Sequence, residues 1–399
     1  MAINLNAKTT GVGGLETSAD NSGNINIQSG GSTVMSVTSS GVAVTGSFSQ
    51  NGAVYSTQPS FRNLIINGDM RIDQRNAGAS VSSNNSYAVD RLRNVFTSSG
   101  SFTAQQSTTA PDNFTNSVVW TVGSAASATS SQVANMQYRL EGNTLYQLGL
   151  GTSAAKTMTL SFWVRSSVTG TYCAAFINSA ADRAYVAEYT ISSANTWEQK
   201  SITLTGDTSG TWLTTNGIGL RIQFDLGSGS DYNATADTWV GANDFRTTNQ
   251  TDFINSAGAT FYITGVQLEV GSTATDFENL PYDVQLARCQ RYYQKMEAST
   301  SQYFDSGWVY TSSTFAMIHP WTVPMRAAPS SMDTTGTASD YRVAYAASGT
   351  PCTSIPTINQ TGASAARIHF PTAAVLTVGH AAAGFTNSSN AYLGFSAEL

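Results

Sequence analysis

The sequence is poor in charged residues. Asp, Glu, Lys and Arg make up 11% of its 399 residues, against about 25% in average soluble domains. The formal net charge is −6 and the pI is about 5.0, so we expect no nucleic-acid partner, because phosphate binding needs a basic face. Ser, Thr, Asn and Gly replace the charges, while aromatic residues stay at 10%, which indicates a folded chain. Such a surface suits hydrogen bonding to sugars, although a solvated β-surface without a specific ligand would have the same composition.

Long apolar runs and a cysteine framework are also lacking. No stretch of about 18 apolar residues is present, so we expect no membrane insertion. The first residues have no basic region followed by an apolar one, so we expect no secretory signal peptide. Cys173, Cys289 and Cys352 are odd in number, far apart, and match neither a zinc spacing nor a disulfide framework. We therefore predict three buried thiols in a protein made in a reducing cytoplasm.

Motifs of catalysis are missing as well. The segment Gly149–Thr157 resembles a nucleotide-binding loop only superficially, because Ala155 stands where a P-loop has glycine before its lysine. The three histidines show no metal-protease spacing, and Gly206–Gly210 has Thr where a nucleophile elbow has Ser. We therefore predict a protein that is not an enzyme.

What the sequence does have is the period-2 alternation typical of β-strands. The segment 158–164 predicts Trp163 on one side and an inward set on the other, consisting of Met158, Leu160, Phe162 and Val164. Many such segments with almost no helical pattern predict an all-β protein. We assign residues 60–280 to a central jelly-roll β-sandwich and residues 299–399 to a smaller C-terminal β-sandwich.

The first sixty residues contain too few large apolar side chains to form a core. We predict an attachment arm at residues 1–22 and an intertwined β-stalk at residues 23–59. A segment of about 35 residues cannot bury enough apolar area alone, whereas three copies wound about an axis can. The predicted trimer seam consists of Ile25, Ile27, Val34, Val37, Val42 and Val44. The alternative is a disordered Gly/Ser linker. At Phe61–Asp73 the stalk gives way to what we predict to be the first strand of the central sandwich.

One segment has a helical pattern, from Pro281 to Met296. Proline suits the first helical position, where its missing N–H costs nothing. An apolar stripe follows at helical spacing, consisting of Leu286, Cys289, Tyr293 and Met296. We predict a connector helix over residues 281–298.

Aromatic residues in the two sandwiches are candidate glycan-binding residues. An exposed ring can stack on the apolar face of a sugar. The candidates are Trp212, Tyr232, Trp239, Trp308, Tyr310 and Trp321. The alternative for each tryptophan is an anchor in the core or in the trimer interface, because a buried aromatic side chain contributes about 150–250 Å².

Acidic residues are concentrated in the Gly- and Asn-rich region from Asp225 to Asp252. Carboxylates at this density could hold calcium, for which Asp231 and Asp237 are the candidate ligands. Two alternatives stay open: the residues are solvated loop acids, or a pair of them hydrolyses a glycosidic bond.

Four motifs in order resemble one known family. They are Asn63–Met70 (NLIINGDM) with Asp90-Arg91 downstream, Trp197–Gly210 (WEQKSITLTGDTSG), Tyr262–Gly271 (YITGVQLEVG) and Cys289–Tyr293 (CQRYY). The chain resembles tail fibres and receptor-binding proteins of tailed bacteriophages, particularly those of marine and cyanobacterial phages. The resemblance covers roughly residues 60–296.

The resemblance implies a homotrimeric, rod-like virion protein located in the tail fibre. Residues 1–22 would attach to other virion proteins, and the C-terminal half would bind a host polysaccharide or lipopolysaccharide. The central domain is similar to jelly-roll carbohydrate-binding modules, in which an acidic residue of the opening motif often holds structural calcium. Arg71 occupies that position here, and Met70 replaces an aromatic residue, which argues against that calcium site. The alternatives are a purely structural virion fibre or adaptor, and a depolymerase tailspike.

Overall fold

The computed structural model describes residues 3–7, 15–19, 25–29, 32–38, 41–44, 48–50, 53–55, 60–297, 302–346 and 348–399. The predicted all-β class is confirmed, with 44% of the chain in strands and 7% helical. The chain divides into two compact units, residues 1–62 and 63–399. The homotrimer stays a prediction. Among the described residues, the helices are too short and too polar to cross a membrane.

The first unit consists of short strands: β1 (Ile3–Ala7), β2 (Leu15–Ala19), β3 (Ile25–Ser29), β4 (Ser32–Thr38), β5 (Gly41–Val44), β6 (Phe48–Gln50) and β7 (Ala53–Tyr55). Five of them form one sheet in the order β2-β1-β3-β4-β5, and β6 pairs with β7. The sequence predicts a separate arm at residues 1–22, but β1 pairs in parallel with β3 and so joins the sheet of the predicted stalk. The alternation of Ile3, Leu5 and Ala7 is the strand signal that the arm prediction overlooked.

The register of this sheet bears on the predicted trimer seam. Ile25 lies opposite Val37, and Val37 lies opposite Val42. A register shift follows Ile27, which pairs with Met35, so Val34 is the extra residue of a bulge. Met35, and not the predicted seam residue Val34, is therefore the residue of β4 that pairs with Ile27. The remaining seam residue, Val44, lies opposite Met35.

The central sandwich of the second unit contains twelve strands and one short helix: β8 (Tyr87–Val89), β9 (Leu92–Phe96), β10 (Ser101–Ser107), β11 (Ser117–Ser124), β12 (Ala134–Glu141), α1 (Gly142–Leu145), β13 (Met158–Ser166), β14 (Gly170–Ile177), β15 (Ala184–Ile191), β16 (Glu198–Leu204), β17 (Ile218–Asp225), β18 (Trp239–Val240) and β19 (Thr260–Val270). One sheet has the order β10-β11-β19-β13-β16 and the other β18-β15-β14-β17-β12-β9-β8. The core lies between them, where the ring of Phe162 in β13 meets the ring of Phe224 in β17 at 5.1 Å.

The alternation predicted for β13 is confirmed. All four predicted inward residues of this strand are fully buried, while Trp163 is partly exposed on the other side of the sheet. The three predicted thiols are confirmed too, because each cysteine is free and buried. Burial raises the pKa of Cys173 and of Cys352 to about 12, which makes these thiols unreactive near neutral pH.

The opening motif is not a strand, contrary to the prediction. Residues 62–73 form an extended and turning segment whose side-chain amides take the place of strand pairing. The Oδ1 atom of Asn63 accepts N–H groups from Ile65 and Leu268, and Asn67 donates to the carbonyls of Ile72 and Asp90. A Cβ on Gly68 would lie 2.0 Å from the carbonyl oxygen of Val266, so only glycine fits. The Asn-Gly motif thus ties the start of the domain to β19.

The connector helix is shorter than predicted. It is α2 (Tyr282–Gln290), and the predicted continuation forms a strand, β20 (Tyr293–Glu297). Strand pairing with the end of the chain overrides the local helical pattern here. The guanidinium of Arg75 covers the Tyr293 ring at 3.6 Å, and only 1% of Tyr293 is exposed.

The C-terminal sandwich adds nine strands to β20: β21 (Tyr303–Thr311), β22 (Thr314–Pro320), β23 (Ser331–Asp333), β24 (Tyr341–Tyr345), β25 (Ser348–Pro351), β26 (Thr357–Thr361), β27 (Ala365–Pro371), β28 (Ala381–Thr386) and β29 (Tyr392–Ser396). A sheet of order β20-β29-β23 covers one face of a sheet of order β25-β24-β28-β21-β22-β27-β26. The opposite face of the larger sheet has no such cover among the described strands.

Arginines join the two sandwiches at the end of the chain. Arg91 and Arg75 both pair with the carboxylate of Glu398, the latter at 3.3 Å. Arg139 of β12 donates to the carbonyl oxygen of Leu399 at 2.7 Å. Glu398 and Leu399 therefore bind to residues of the central sandwich.

Candidate functional site

Two of the predicted glycan-binding residues, the buried Trp212 and the partly exposed Trp239, pack against each other in the central sandwich. Their rings meet edge to face at 5.6 Å. Each indole N–H donates to a backbone carbonyl, that of Ser209 for Trp212 and that of Thr205 for Trp239, at 3.0 and 2.9 Å. Only 9% of Trp212 is exposed. These contacts make both tryptophans anchors of the fold, the alternative that the sequence left open.

Tyr232 also contributes to packing. Its ring stacks on Phe245 at 4.2 Å, and its hydroxyl donates to the carbonyl of Ser131 at 2.9 Å. Phe245 in turn packs with Cys173 and Val186 on the outer face of the seven-stranded central sheet. The loop from residue 227 to 250 therefore covers this face.

The two candidate calcium ligands have separate partners. Asp231 accepts the hydroxyl of Ser130 at 3.1 Å, and Asp237 accepts the hydroxyl of Tyr185 at 3.4 Å. Within the described ranges, no group of three acidic, histidine or cysteine side chains is placed to hold a metal ion. The geometry therefore gives no support to calcium at these positions.

At the opening motif, an arginine supplies the positive charge. Arg71 pairs with the carboxylate of Asp69 and donates to the carbonyl of Leu280 at 2.8 Å. A guanidinium thus neutralises the acidic residue of the opening motif.

In the C-terminal sandwich, Trp321 belongs to the core. It is 7% exposed, its indole N–H donates to the carbonyl of Gly362 at 2.9 Å, and its ring contacts Phe395 at 4.8 Å. Its N–H and its ring are both engaged by the protein, so Trp321 is not available to a ligand.

Trp308 and Tyr310 have the opposite environment. They alternate with the fully buried Val309 in β21 and so lie on the outer face of the seven-stranded C-terminal sheet. Tyr310 is 45% exposed, and the guanidinium of Arg367 lies 5.1 Å from its ring centroid. His369 lies 5.2 Å from the same ring, and burial, helped by the charge of Arg367, lowers its pKa. The structure therefore brings two predicted residues together on one open surface.

We call this surface the C-terminal face. It consists of the residues of β21, β22, β24, β27 and β28 that alternate with the core positions, and it combines rings, small residues and two arginines. Its members include Tyr303, Trp308, Tyr310, Ile318, Arg342, Ala344, Arg367, His369, Ala381, Ala383 and Phe385. Tyr303 is 63% exposed and Ile318 is 54% exposed. Exposed large side chains at this density mark an interaction surface.

A groove of about 570 Å³ lies at one end of the C-terminal face. Its floor consists of Ala344, Ala381 and Ala383, whose small side chains leave room above the sheet. The rings of Tyr303 and Phe385 form a wall, with their centroids 4.9 Å apart. The volume falls in the range of small-molecule sites, about 300–1,000 Å³.

Polar groups enter the same groove. Arg342 lies opposite Phe385 across β24 and β28, and Tyr345 lines the groove near the end of β24. The hydroxyl of Tyr345 accepts the N–H of Thr377 at 3.2 Å. A planar cation and a hydroxyl beside exposed rings can orient a sugar by hydrogen bonds while the rings contact its apolar face.

The groove residues Tyr303, Arg342 and Phe385 were missed by the sequence analysis, which concentrated on tryptophan. The available signal was the alternation of Ala381, Ala383 and Phe385 with the buried Ala382, Gly384 and Thr386. That alternation predicts that the three side chains lie on the outer face of a strand. It does not predict that Tyr303, which is distant in sequence, pairs with Phe385.

A smaller groove of about 260 Å³ lies on the five-stranded central sheet. Phe114 and Phe277 meet there at 5.1 Å, beside Trp163. A Cβ on Gly265 would lie 2.7 Å from Phe114, so the positive φ of +63° and the missing side chain let the ring pack on the backbone. Trp163, which the sequence placed outside the core, therefore lines a groove.

No model of a known protein family matches the chain, and no curated protein matches it. Among solved structures, the chain is similar to the enzymatically active domain of tailspike protein 4 of bacteriophage CBA120, at 14% identity and a TM-score of 0.27. That match covers 53% of this chain and 22% of the tailspike chain, so this chain spans about a fifth of that protein.

Carbohydrate-binding modules are also among the similar structures. The family 11 module of a cellulosomal cellulase of Clostridium thermocellum is 13% identical, with a TM-score of 0.25 and coverage of 50% of this chain and 98% of that one. TmCBM61 in complex with beta-1,4-galactotriose is 10% identical, with a TM-score of 0.26 and coverage of 53% and 99%.

Proposed function

We propose that this protein is a tail fibre of a tailed bacteriophage that binds a host-surface glycan through the C-terminal face. The observation that carries the proposal is the alanine-floored groove walled by Tyr303 and Phe385, with Arg342 at its side. Aromatic rings that stay exposed on a regular sheet offer flat apolar surfaces to sugar rings, and the neighbouring polar groups give orientation.

The position in the virion rests on the sequence motifs. They favour a homotrimer that attaches through residues 1–22 to other virion proteins and exposes its C-terminal half. Several copies of a weak glycan site on one particle give high avidity without high affinity at each site. We propose that the C-terminal face binds the glycan without cleaving it. Its outward positions include no Asp or Glu and therefore no carboxylate pair for glycoside hydrolysis.

A purely structural virion component is the second candidate. The exposed Ile318 and Tyr303 favour it, because a second copy of the chain could cover them as readily as a glycan could. The two functions differ in what happens when the rings are removed, since a glycan site loses binding and an interface loses oligomers.

The test uses purified protein to block adsorption of the phage to its host. Tyr303→Ala combined with Trp308→Ala should abolish blocking and leave the oligomeric state unchanged. Tyr146→Ala is the matched control, because Tyr146 is 71% exposed on the central sandwich; this variant should block like the parent. Dissociation of the oligomer in the double variant would support the structural role instead. Blocking that survives the double substitution would contradict the proposed site.

A further inference from the structure

We infer that the C-terminal face selects an acidic saccharide, one that carries carboxylate or phosphate groups, and that the guanidinium of Arg342 binds the anionic group. This inference rests on the proposed function and adds the chemical class of the ligand.

The charge distribution on this face is the first argument. The chain as a whole has a net charge of −6, yet its C-terminal face carries Arg342 and Arg367 and no acidic residue. The acidic residue of β21, Asp305, pairs with His319 at 3.3 Å. The positive charge of this face attracts an anionic ligand, and the face carries no carboxylate that would repel it.

The pairing of the arginines is the second argument. Among the described residues, six arginines each lie within ion-pair distance of a carboxylate: Arg71, Arg75, Arg91, Arg183, Arg246 and Arg291. Arg342 and Arg367 have only uncharged oxygen partners, the carbonyl of Gly349 and the amide oxygen of Asn359. Arg165, Arg221 and Arg326 also have only uncharged partners, but Arg342 and Arg367 lie beside aromatic rings of the open C-terminal face. An anion from outside the described chain can therefore reach both charges there.

The position of the Arg342 guanidinium is the third argument. It lies flat against Gly349, where an added Cβ would be 2.9 Å from Cζ, Nε and Nη2. Its Cζ atom is 5.7 Å from the centroid of Phe385. The hydrogen bond from Nη2 to the Gly349 carbonyl is long, at 3.5 Å, and Nε is buried without an acceptor. A desolvated donor without a partner gains most from an anionic acceptor.

The aromatic wall and the neighbouring guanidinium together restrict which chemical groups the ligand must carry. A sugar ring stacked on Tyr303 and Phe385 would bring an attached carboxylate or phosphate beside the fork of Arg342, which matches the planar oxygens of either group. Arg367, four strands away or about 19 Å at the usual strand spacing, offers a second anion site beside Tyr310. An acidic oligosaccharide fits this pair of sites better than a single sugar does.

The test measures binding of three polymers by the whole protein at low and at moderate salt. Polygalacturonate supplies carboxylates, a phosphorylated mannan supplies phosphates, and dextran is the neutral control. The parent protein should bind at least one acidic polymer about tenfold more tightly than dextran, and added salt should weaken that binding. Comparison of the two acidic polymers identifies which group is the natural anion.

Two substitutions address Arg342 itself. Arg342→Gln should weaken acidic-polymer binding about tenfold or more, and Gly349→Ala should weaken it because the new methyl group displaces the guanidinium while keeping its charge. Arg165→Gln on the central sandwich is the matched control, because Arg165 also has an uncharged partner, the carbonyl of Asn195; it should leave binding unchanged. The thermal transition of each variant shows whether it is folded, and Arg342→Lys, which keeps the charge but loses the fork, should bind with intermediate affinity.

Two results would overturn the inference. The first is equal affinity for dextran and the acidic polymers. The second is an unchanged affinity in Arg342→Gln together with a loss of affinity in Tyr303→Ala. Either result would show a glycan site that does not select for charge. Absence of binding to every polymer and to host cells would contradict the inference and the proposed function together.

Discussion

The aromatic residues of the central sandwich and those of the C-terminal face are equally conspicuous in the sequence but occupy different environments. Trp212 and Trp239 give their indole N–H groups to backbone carbonyls and pack edge to face. Trp308 shows no hydrogen bond of its indole within the described chain, and Tyr303 and Tyr310 keep about half of their surface exposed. A tryptophan whose indole N–H donates to a backbone carbonyl is therefore an anchor of the fold, and one without such a bond is a candidate ligand contact.

The outer faces of the two seven-stranded sheets differ in the same way. On the central sheet, Tyr232 and Phe245 cover Cys173 and Val186. On the C-terminal sheet, alanines lie between exposed rings and no loop of the described chain fills the groove. A covered face stabilises the fold, whereas an open apolar face is available to a partner. Four measurements test whether the two faces differ in this way.

The largest effect is expected from removal of a buried tryptophan. Trp212→Ala should lower the free energy of unfolding by about 3–5 kcal/mol, because it leaves a cavity against Trp239. Trp308→Ala should lower it by less than about 1 kcal/mol, because the ring lies on the open face. Urea unfolding of both variants checks the difference, and equal losses would contradict the assignment of the two environments.

Burial of a carboxylate under the covered face should give a smaller, pH-dependent effect. Burial raises the pKa of Asp225 to about 6, against the N–H bonds from Ser228 and Gly227 and the charge of Arg246 that lower it. Because this pKa is above the ordinary value of 3.8, the folded state binds the proton more tightly. The free energy of unfolding should therefore fall as the pH rises from about 4 to 6, by about 3 kcal/mol for this residue.

The matching measurement is chemical unfolding at several pH values for the parent and for Asp225→Asn. Asp90 is buried too, with its pKa raised to about 6, so the parent loses stability through both groups. The asparagine variant should lose less over the same interval. Parallel curves would show that Asp225 does not titrate in this window.

On the open face, removal of one ring should affect binding and leave stability nearly unchanged. Tyr303→Ala should weaken glycan binding about tenfold, since stacking and the contact with Phe385 are lost, and should move the unfolding midpoint little. Tyr282→Ala, at a tyrosine that is 56% exposed on α2, serves as the control. A large loss of stability in Tyr303→Ala would place this residue among the structural aromatics.

The smallest effect is expected from a chelator. Because Asp231 and Asp237 have separate partners and Arg71 neutralises Asp69, added EDTA should leave the melting temperature unchanged. A lower melting temperature that calcium restores would instead support the metal site considered for the acidic loop.

The sequence predicted the features that depend on local pattern. The alternation in β13, the all-β class and the buried thiols follow from side-chain periodicity and composition. The helix after Pro281 was correct in its start and wrong in its length, because Tyr293 pairs with a strand about one hundred residues later. The opening motif reads as a strand, but Asn63 and Asn67 supply the hydrogen bonds through their side chains.

The candidate site was only half predictable. Trp308 and Tyr310 were identified, whereas the sequence left Trp321 open between a glycan contact and a core anchor. The structure places it in the core, because the carbonyl of Gly362 that accepts its N–H comes from a distant loop. Tyr303, Arg342 and Phe385 meet only through the pairing of β21, β28 and β24. Long-range register therefore decides which aromatic residues are open to a ligand.

Glycan binding by the C-terminal face can be measured by calorimetric titration of host lipopolysaccharide or capsular polysaccharide into three proteins: the parent, the double variant Tyr303→Ala with Trp308→Ala, and Trp163→Ala. We expect binding by the parent and loss of binding by the double variant at an unchanged oligomeric state and unfolding midpoint. Trp163→Ala, whose ring lies in the groove of the central sheet, should retain binding. Retained binding by the double variant and loss in Trp163→Ala would contradict this expectation and place the glycan on the central sandwich.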